Sequence, residues 1–388
     1  MIGASKPMPP RSAIHIITPE FPPALGGVAN YVRQVAEGLG AAGEDVHVWC
    51  PRGDAGEGFS VHPVMGRFEQ RHLRQAGALL DAFPGPRRIL VQWVPHGYSR
   101  RAMNIPFCVW LWRRALRGDV IELMVHEPYL TFWEGSVRQA AAATVHRVMT
   151  MVLLRAAARV WISIPAWEPM WRPYALGRYV PFDWLPIPSS ARPPDERDAQ
   201  IIRNRIAPGG TALVGHVGTY GAPVASMLTK AVRALLWQNS SVRVLLIGVG
   251  SEEFLARFAH RDRATAERVT ATGELSESVL AAHIAACDVL MQPYPDGISS
   301  RRTTAIAGLL LGVPVVSTAG RLTEPLWEES EAVRLVPVDR LGEMALQVNV
   351  LLQHPEARMR MVEKGRALYE RVFKLQRTID ALTHRRAA

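Results

Sequence analysis

Three hydroxyls and two guanidinium groups crowd together at Ser299, Ser300, Arg301, Arg302 and Thr303, just ahead of an apolar segment at helical spacing. A helix start presents unpaired backbone N–H groups and a partial positive charge, which suits an anion. Capping alone favours an acidic first turn, so two arginines there are unfavourable unless a ligand anion offsets them. Arginine also supplies a planar fork that fits phosphate. Ser299 or Ser300 is expected as the N-cap, with Ala305, Ile306, Leu309 and Leu310 turned to the core. The plainer reading, capping serines and solvated arginines, stands beside it.

Three further places have the residue types for chemistry. Gly26-Gly27 lies between an apolar run and a helical segment, where glycine lets a diphosphate approach the backbone; an ordinary tight turn needs the same residues. His126, in His126-Glu127-Pro128, ends a predicted strand and can exchange a hydrogen bond with a substrate hydroxyl near neutral pH. His15, His47, His96 and His216 look similar in sequence, and a structural role is open for each. Gly215 to Gly221, GHVGTYG, follows a strand with three glycines and a threonine, fit for a backbone anion nest or a flexible connection. No Walker lysine, Ser-His-Asp order, metal-ligand spacing or paired carboxylates stand out.

These candidates are spaced by alternating elements. AIHIIT, EDVHVWCP, RRILVQWVP, DVIELMVHEP and RVWISI read as strands separated by helical segments, and the alternation restarts with TALVGHVG, VRVLLIGVG, VLMQPYP, PVVST and EAVRLVPV. Between them, Pro181 to Pro194 holds five prolines and no periodicity, and is read as a linker. The predicted architecture is α/β: two doubly wound, Rossmann-like domains facing a central cleft. They span residues 1–185 and 205–365, with a linker at 186–204; the tail, 366–388, reads as a C-terminal helix. In such sheets ligands sit at the carboxyl ends of the strands.

The chain has 388 residues and a net charge of +10, carried by 41 arginines and four lysines. No dense basic run favours nucleic acid. Cys50, Cys108 and Cys287 are too scattered for a disulfide framework or a zinc site. No secretory leader or membrane-spanning run is expected, which points to the cytoplasm, at or near the inner face of a membrane.

Taken together, ITPEFPPALGGVANYVRQVAEGLGAAGEDVHVWCP, VHEP, VRVLLIGVGS, VTATGEL, AACDVLMQPYPDG and LLGVPVVST resemble, in order and spacing, the retaining family 4 glycosyltransferases of the GT-B fold. The resemblance implies a bacterial-type, metal-independent hexosyltransferase whose tail, 366–388, returns to the first domain. A nucleotide sugar such as a UDP- or GDP-sugar is then the donor substrate, with no other cofactor, and a hydroxyl on a glycan or lipid-linked acceptor receives the sugar. The leaving diphosphate takes the acceptor's proton, and the protein stabilises its growing charge. It implies His126 and Gly27 as catalytic residues. Gly26, Gly27, Gly218, Thr219, Ser299, Ser300, Arg301, Arg302 and Thr303 would meet the diphosphate, and Gly248, Gly250, Glu274 and Leu275 the nucleoside. The segment Gln92 to Phe107 would serve the acceptor through Trp93, His96, Tyr98, Arg100 and Arg101, together with Glu127. PFCVWLWRRALRG has tryptophans and arginines suited to peripheral membrane contact, but a packed α/β helix is the favoured reading.

Two departures stand out. Where the family has two glutamates eight positions apart before Gly-x-Pro, this chain has Ser299 and Ala307, or, anchored on Asp296-Gly297, Asp296 and Thr304. Where it has an arginine and a lysine six apart, this chain has His216 and Ala222. The expectation is a relocated anion site at Arg301 or Arg302. A non-catalytic GT-B protein, binding sugar nucleotides or serving a partner, is the alternative.

Overall fold

The computed structural model describes residues 13–24, 26–99, 102–130, 132 and 137–383. It divides into two compact units: one holds the chain through Pro186 together with Leu375 onward, the other Ile187–Lys374.

The first unit is built on strands β1 (Ile14–Ile17), β2 (Val46–Trp49), β3 (Ser60–His62), β4 (Arg88–Trp93), β5 (Val120–Val125), β6 (Ala157–Ile162) and β7 (Phe182–Trp184). They form one parallel sheet in the order β3-β2-β1-β4-β5-β6-β7. Its helices are α1 (Gly27–Ala41), α2 (Gln70–Leu80), α3 (Ile105–Leu116), α4 (Val137–Ala156) and α5 (Trp167–Trp171). The predominantly apolar character of β1, β4 and β5, broken by His15, Gln92 and Glu122, follows from cover on both faces. Where β1 to β3 meet, imidazoles fill the core: His15 accepts from Trp49 Nε1 at 3.2 Å, and His47 Nδ1 lies 2.9 Å from His62 Nε2. His15 and His47 therefore serve packing.

The second unit holds α6 (Glu196–Ile206), β8 (Ala212–Val217), α7 (Ala222–Gln238), β9 (Val242–Ile247), α8 (Ser251–Arg261), α9 (Arg263–Ala266), β10 (Val269–Ala271) and α10 (Glu277–Ala285). It continues with β11 (Val289–Gln292), α11 (Thr303–Leu311), β12 (Val315–Ala319), α12 (Pro325–Glu329), β13 (Arg334–Pro337), α13 (Glu343–Gln353) and α14 (Pro355–Leu368). The sheet is parallel, in the order β10-β9-β8-β11-β12-β13. One core lies on each face: Leu213, Leu245, Leu290 and Val315 under α10 and α11, and Val214, Leu246, Met291 and Val316 under α7 and α13.

The boundaries differ from the sequence reading in two places. The proline-rich stretch Pro181–Pro194 begins with β7, which pairs with β6, and the linker bounds 186–204 take in most of α6, whose Arg203 holds Asp288 of the second unit at 2.9 Å. The return to the first unit starts at Leu375 rather than 366, with α15 (Leu375–Thr383). It is seated by Arg88 Nη1 donating to the Leu382 carbonyl at 2.6 Å and by close approach to α1. A Cβ at Gly38 would lie 2.7 Å from Ile379 Cδ1, so glycine admits the helix.

Candidate functional site

In both sheets the strand order reverses beside the first strand, at β1/β4 and at β8/β11. The candidate side chains gather at the carboxyl ends near those points.

In the first unit His126 follows β5 and is 8% exposed. Its Nε2 lies 2.9 Å from Gln92 Oε1 on β4, and the Tyr31 ring meets it edge-on at 5.1 Å. Burial lowers its pKa from 6.5 to about 3, so the imidazole is neutral. With the Gln92 oxygen as acceptor, the proton sits on Nε2 and Nδ1 keeps its lone pair. Tyr98 Oη donates to the Gln92 carbonyl at 2.5 Å, while Ser163 Oγ and Trp167 Nε1 donate to the His126 carbonyl, each at 3.3 Å. Both partners of the pair are thus fixed from behind.

Gly26 and Gly27 open α1, but the helix terminus is not free. The N–H groups of Ala29 and Val28 hydrogen-bond the carboxyl of Glu20. Burial raises the Glu20 pKa, those two bonds oppose the rise, and Glu127 adds to it. A Cβ at Gly26 would fall 2.8 Å from Glu20 Oε1, whereas one at Gly27 meets nothing within 4 Å. A diphosphate at this terminus has to displace or protonate Glu20. No sequence signal marked Glu20, which reaches back across a proline-rich loop.

On the expected acceptor side, His96 Nε2 and Glu127 Oε2 stand 3.8 Å apart on the surface. Trp93 and Tyr98 do not line a surface. Each is 1% exposed, stacked on the other at 5.2 Å, with Tyr98 packed on Phe107. They are core residues because β4 and the turn after it are covered by α3. Arg100 and Arg101 lie outside the described residues.

In the second unit His216 Nδ1 donates to the Met291 carbonyl at 2.9 Å, and its buried Nε2 has no hydrogen-bond partner among the described residues. Burial lowers its pKa to about 4, against the pull of that carbonyl. No positive charge stands at this position. Gly218 and exposed Thr219 lead into α7, whose N-cap Gly221 makes no side-chain bond. Gly248, at φ 111°, lies so near that its Cβ would be 2.8 Å from the Gly218 oxygen, so the loops after β8 and β9 touch by backbone. Gly250 begins α8, Glu274 is exposed, and Leu275 packs half-buried against the core.

The segment Ser299 to Thr303 departs from the expected cap. Helix α11 starts at Thr303, its N-cap is Arg302, and no side chain caps it. The arginines thus precede the helix, in a turn closed by Arg302 N donating to the Ser299 carbonyl at 2.9 Å. Ser300 is taken up by Glu324: Oε1 accepts from Ser300 N at 2.9 Å and from Ser300 Oγ at 2.5 Å, and Oε2 accepts from Trp327 Nε1 at 2.8 Å. Burial raises the Glu324 pKa, and the Ser300 and Trp327 bonds oppose the rise. A carboxylate does stand at this helix start, then, delivered from the loop before α12. Spacing within residues 296–307 could not reveal it. Ser299 is fully buried and Gln292, at the end of β11, is buried, and among the described residues Ser299 Oγ and both Gln292 amide atoms have no hydrogen-bond partner. The Arg302 guanidinium lies 4.4 Å over the Tyr294 ring, and Tyr294 Oη is 2.9 Å from Thr304 Oγ1. Unsatisfied buried polar atoms cost free energy; here they cluster at the β8/β11 reversal, where a polar ligand would satisfy them.

Residues 211–354 match the family model described as glycosyl transferases group 1. The second unit is a glycosyl transferases group 1 domain. Over 346 residues the chain is 23% identical to the phosphatidyl-myo-inositol mannosyltransferase of Mycolicibacterium smegmatis, covering 88% of this chain and 84% of that one. Among solved structures it resembles sucrose-phosphate synthase from Thermosynechococcus elongatus, with TM-score 0.75, 18% identity and coverage of 96% and 98%. It also resembles Anabaena HepE in complex with UDP and glucose, with TM-score 0.68, 14% identity and coverage of 96% and 98%. The fold of the chain is GT-B. Among the described residues, no helix is long and apolar enough to cross a membrane. No group of three or more His, Cys, Asp or Glu side chains among them could hold a metal ion.

Proposed function

We propose that the chain is a retaining glycosyltransferase that moves a sugar from a nucleoside diphosphate sugar to a hydroxyl acceptor on a glycan or a lipid-linked glycan precursor. The bond from the anomeric carbon to the diphosphate breaks, a bond to the acceptor oxygen forms on the same face, and the acceptor's proton passes to the departing diphosphate. The observation that carries this reading is the set of unsatisfied buried polar groups at the β8/β11 reversal of a group 1 domain, beside the Arg302 turn. Arg301, Arg302, Thr303 and the start of α7 supply the positive potential for the diphosphate. Ser299 and Gln292 supply neutral hydrogen bonds. Neutral His126, steered by Gln92, meets a substrate hydroxyl. Metal independence belongs to the same reading, since the charge is met by arginine and backbone dipoles. The mannosyltransferase relative, whose name carries a phosphatidyl acceptor, supports a lipid-linked one here.

One set of observations favours a non-catalytic sugar-nucleotide binder: Ser299 and Ala307 in place of the family's glutamates, neutral His216, and Glu20 on the α1 terminus. Turnover decides between the two. UDP or GDP at a hundredfold its Kd stabilises the binding unit by about 2.7 kcal/mol in either reading. Release of nucleoside diphosphate from its sugar, with an acceptor present and EDTA added, is expected only of the transferase. No thermal shift with any nucleoside diphosphate at millimolar concentration defeats both.

A further inference from the structure

Two adjacent residues of α4, His146 and Arg147, grip the loop that follows His126. His146 Nδ1 accepts from Leu130 N at 3.3 Å, and Arg147 Nη1 donates to the Leu130 carbonyl at 3.1 Å. The Arg147 guanidinium also lies 4.5 Å from the Tyr129 ring centre and 3.7 Å from that of Phe132. The other nitrogen of His146 serves a different loop: Nε2 donates to the Ala102 carbonyl at 2.6 Å, between β4 and α3. Ala102 stands at φ 55°, the left-handed region that a Cβ makes costly, and its N–H closes a turn onto the Ser99 carbonyl at 3.0 Å. His146 itself is 1% exposed. One buried imidazole thus ties the loop after β4 to the loop after β5, the stretches that carry His96 and Glu127.

These partners dictate the tautomer. A backbone N–H only donates and a carbonyl only accepts, so Nδ1 keeps its lone pair and Nε2 carries the proton. A second proton would set Nδ1–H against Leu130 N–H, and the Arg147 bond keeps that peptide from turning away. The surroundings oppose such a proton. Burial lowers the His146 pKa below its ordinary 6.5, the Ala102 carbonyl works against the fall, and His96 and Arg147 add to it. His96 stands edge-on to the ring at 6.1 Å, with Glu127 3.8 Å from its Nε2. Of the other elements packed on α4, the N-terminal half of α3 brings no charge, its Cys108 thiol being buried and raised in pKa. In the turn Arg172–Ala175, Arg172 is paired with Glu168. Arg100, Arg101 and Glu134 lie outside the described residues.

We propose that His146 is a proton-released latch between the loops after β4 and β5: neutral, it closes them together beside His126, and protonated, it lets them part. Because folding lowers the affinity for that proton, the latch holds at neutral pH and opens only as the pH falls below 6.5. Held closed, the two loops offer an acceptor a wall whose ordering is already spent in folding. That consequence rests on the reading of His126 and its flanks as the acceptor side; the latch itself does not.

The test is hydrogen–deuterium exchange of the full chain from pH 8 down to its acid unfolding, corrected for intrinsic rate, with NMR of the histidine rings on the same samples. The ring signal that a His146 substitution removes should show the Nε2–H tautomer and titrate below 6.5. As it titrates, the peptides holding Ala102 and Leu130 should both gain exchange, about two- to tenfold for each lost bond. Two variants separate the arms at pH 8, since asparagine reaches only the Nδ1 position and glutamine the Nε2 position. His146→Asn should loosen the Ala102 turn and leave Leu130 protected, His146→Gln should do the reverse, and neither should keep the parent's pH response. UDP and GDP affinity should equal the parent's in both; a parent that binds neither counts against the transferase reading alone, with the latch still judged by exchange. An Nδ1–H tautomer overturns the proposal, as does a ring that stays neutral until the chain unfolds. So does titration of His146 without gain in both peptides, or a pH response that survives both variants.

Discussion

Replacing Glu324 with glutamine exchanges one carboxyl oxygen for an NH2 group and tests whether this buried carboxyl is charged. In the parent, three donors converge on two oxygens: Ser300 N and Ser300 Oγ on Oε1, and Trp327 Nε1 on Oε2. A carboxylate accepts on both sides; an amide accepts on one. With the new amide's oxygen toward Ser300, its NH2 opposes the Trp327 N–H. Turned over, it opposes the Ser300 N–H. One buried N–H is orphaned either way, at about 1–3 kcal/mol, and a charge-assisted bond worth about 1.5–3 kcal/mol is lost. Relief of the burial that raises the Glu324 pKa returns part of this, leaving a net loss of about 2–4 kcal/mol. The second unit spans Ile187–Lys374; at that size each kcal/mol moves Tm by about 2–4 °C, so Glu324→Gln should melt that unit roughly 4–16 °C lower. Calorimetry of the full chain reads the shift. A resident neutral acid, donating its proton to Ser300 Oγ, would be mimicked well by the amide. A Tm within about 1 °C of the parent therefore refutes the reasoning and makes Glu324 protonated.

His15 and His126 are lowered to about 3 and His216 to about 4, so the unfolded chain takes up their protons first and stability falls as pH drops below about 6.5. Each costs about 1.4 kcal/mol per pH unit in that window, while raised Glu20 and Glu324 act in the opposite sense. Melting at pH 7 and pH 5 should show the first unit, with two such histidines, losing more than the second; equal losses contradict this. Gln92→Glu places a carboxylate on His126 Nε2 and should raise that pKa from about 3 by roughly one to three units. NMR titration of the ring follows it, and an unmoved pKa breaks the pairing. Arg302→Ala should weaken UDP or GDP about ten- to hundredfold while sparing free nucleoside, with Arg302→Lys restoring only part. Calorimetric titration giving parental affinity in Arg302→Ala removes that residue from the diphosphate site.

The fold was legible because its signals are local. Buried parallel strands such as Ile14–Ile17 and Val242–Ile247 are dominated by branched apolar residues, each interrupted by a single polar one, His15 and Arg243. What escaped was short or polar: β7, three residues inside a proline-rich stretch, and α6, whose exposed face left only Ile202 and Ile206 to bury. For the candidate residues, their places at strand and helix ends were legible and their hydrogen-bond partners were not. His126 was placed at a strand end by pattern alone, but nothing in the chain announces that Gln92, 34 residues earlier, takes its Nε2.

Two of the three helix starts that the sequence offered to an anion have a carboxyl brought to them by tertiary structure. Glu20 sits on the amides of α1, and Glu324 on Ser300 ahead of α11. These two carboxyls do different things to a ligand. Glu20 holds the amides a diphosphate would need, and its raised pKa means that a nearby anion gives it further reason to take a proton. Glu324 leaves the α11 amides alone. It fixes the turn from below through Ser300, and Ser299 Oγ and the Arg302 guanidinium lie in that same turn. A cationic turn restrained by a buried carboxylate is preorganised: the entropy of ordering it is spent in folding rather than on binding. On that reasoning the start of α11, more than the glycine pair before α1, is where a leaving diphosphate finds its charge met. Glu324→Gln should then weaken diphosphate binding through disorder of the turn, even though it removes a negative charge that by Coulomb attraction alone would strengthen it.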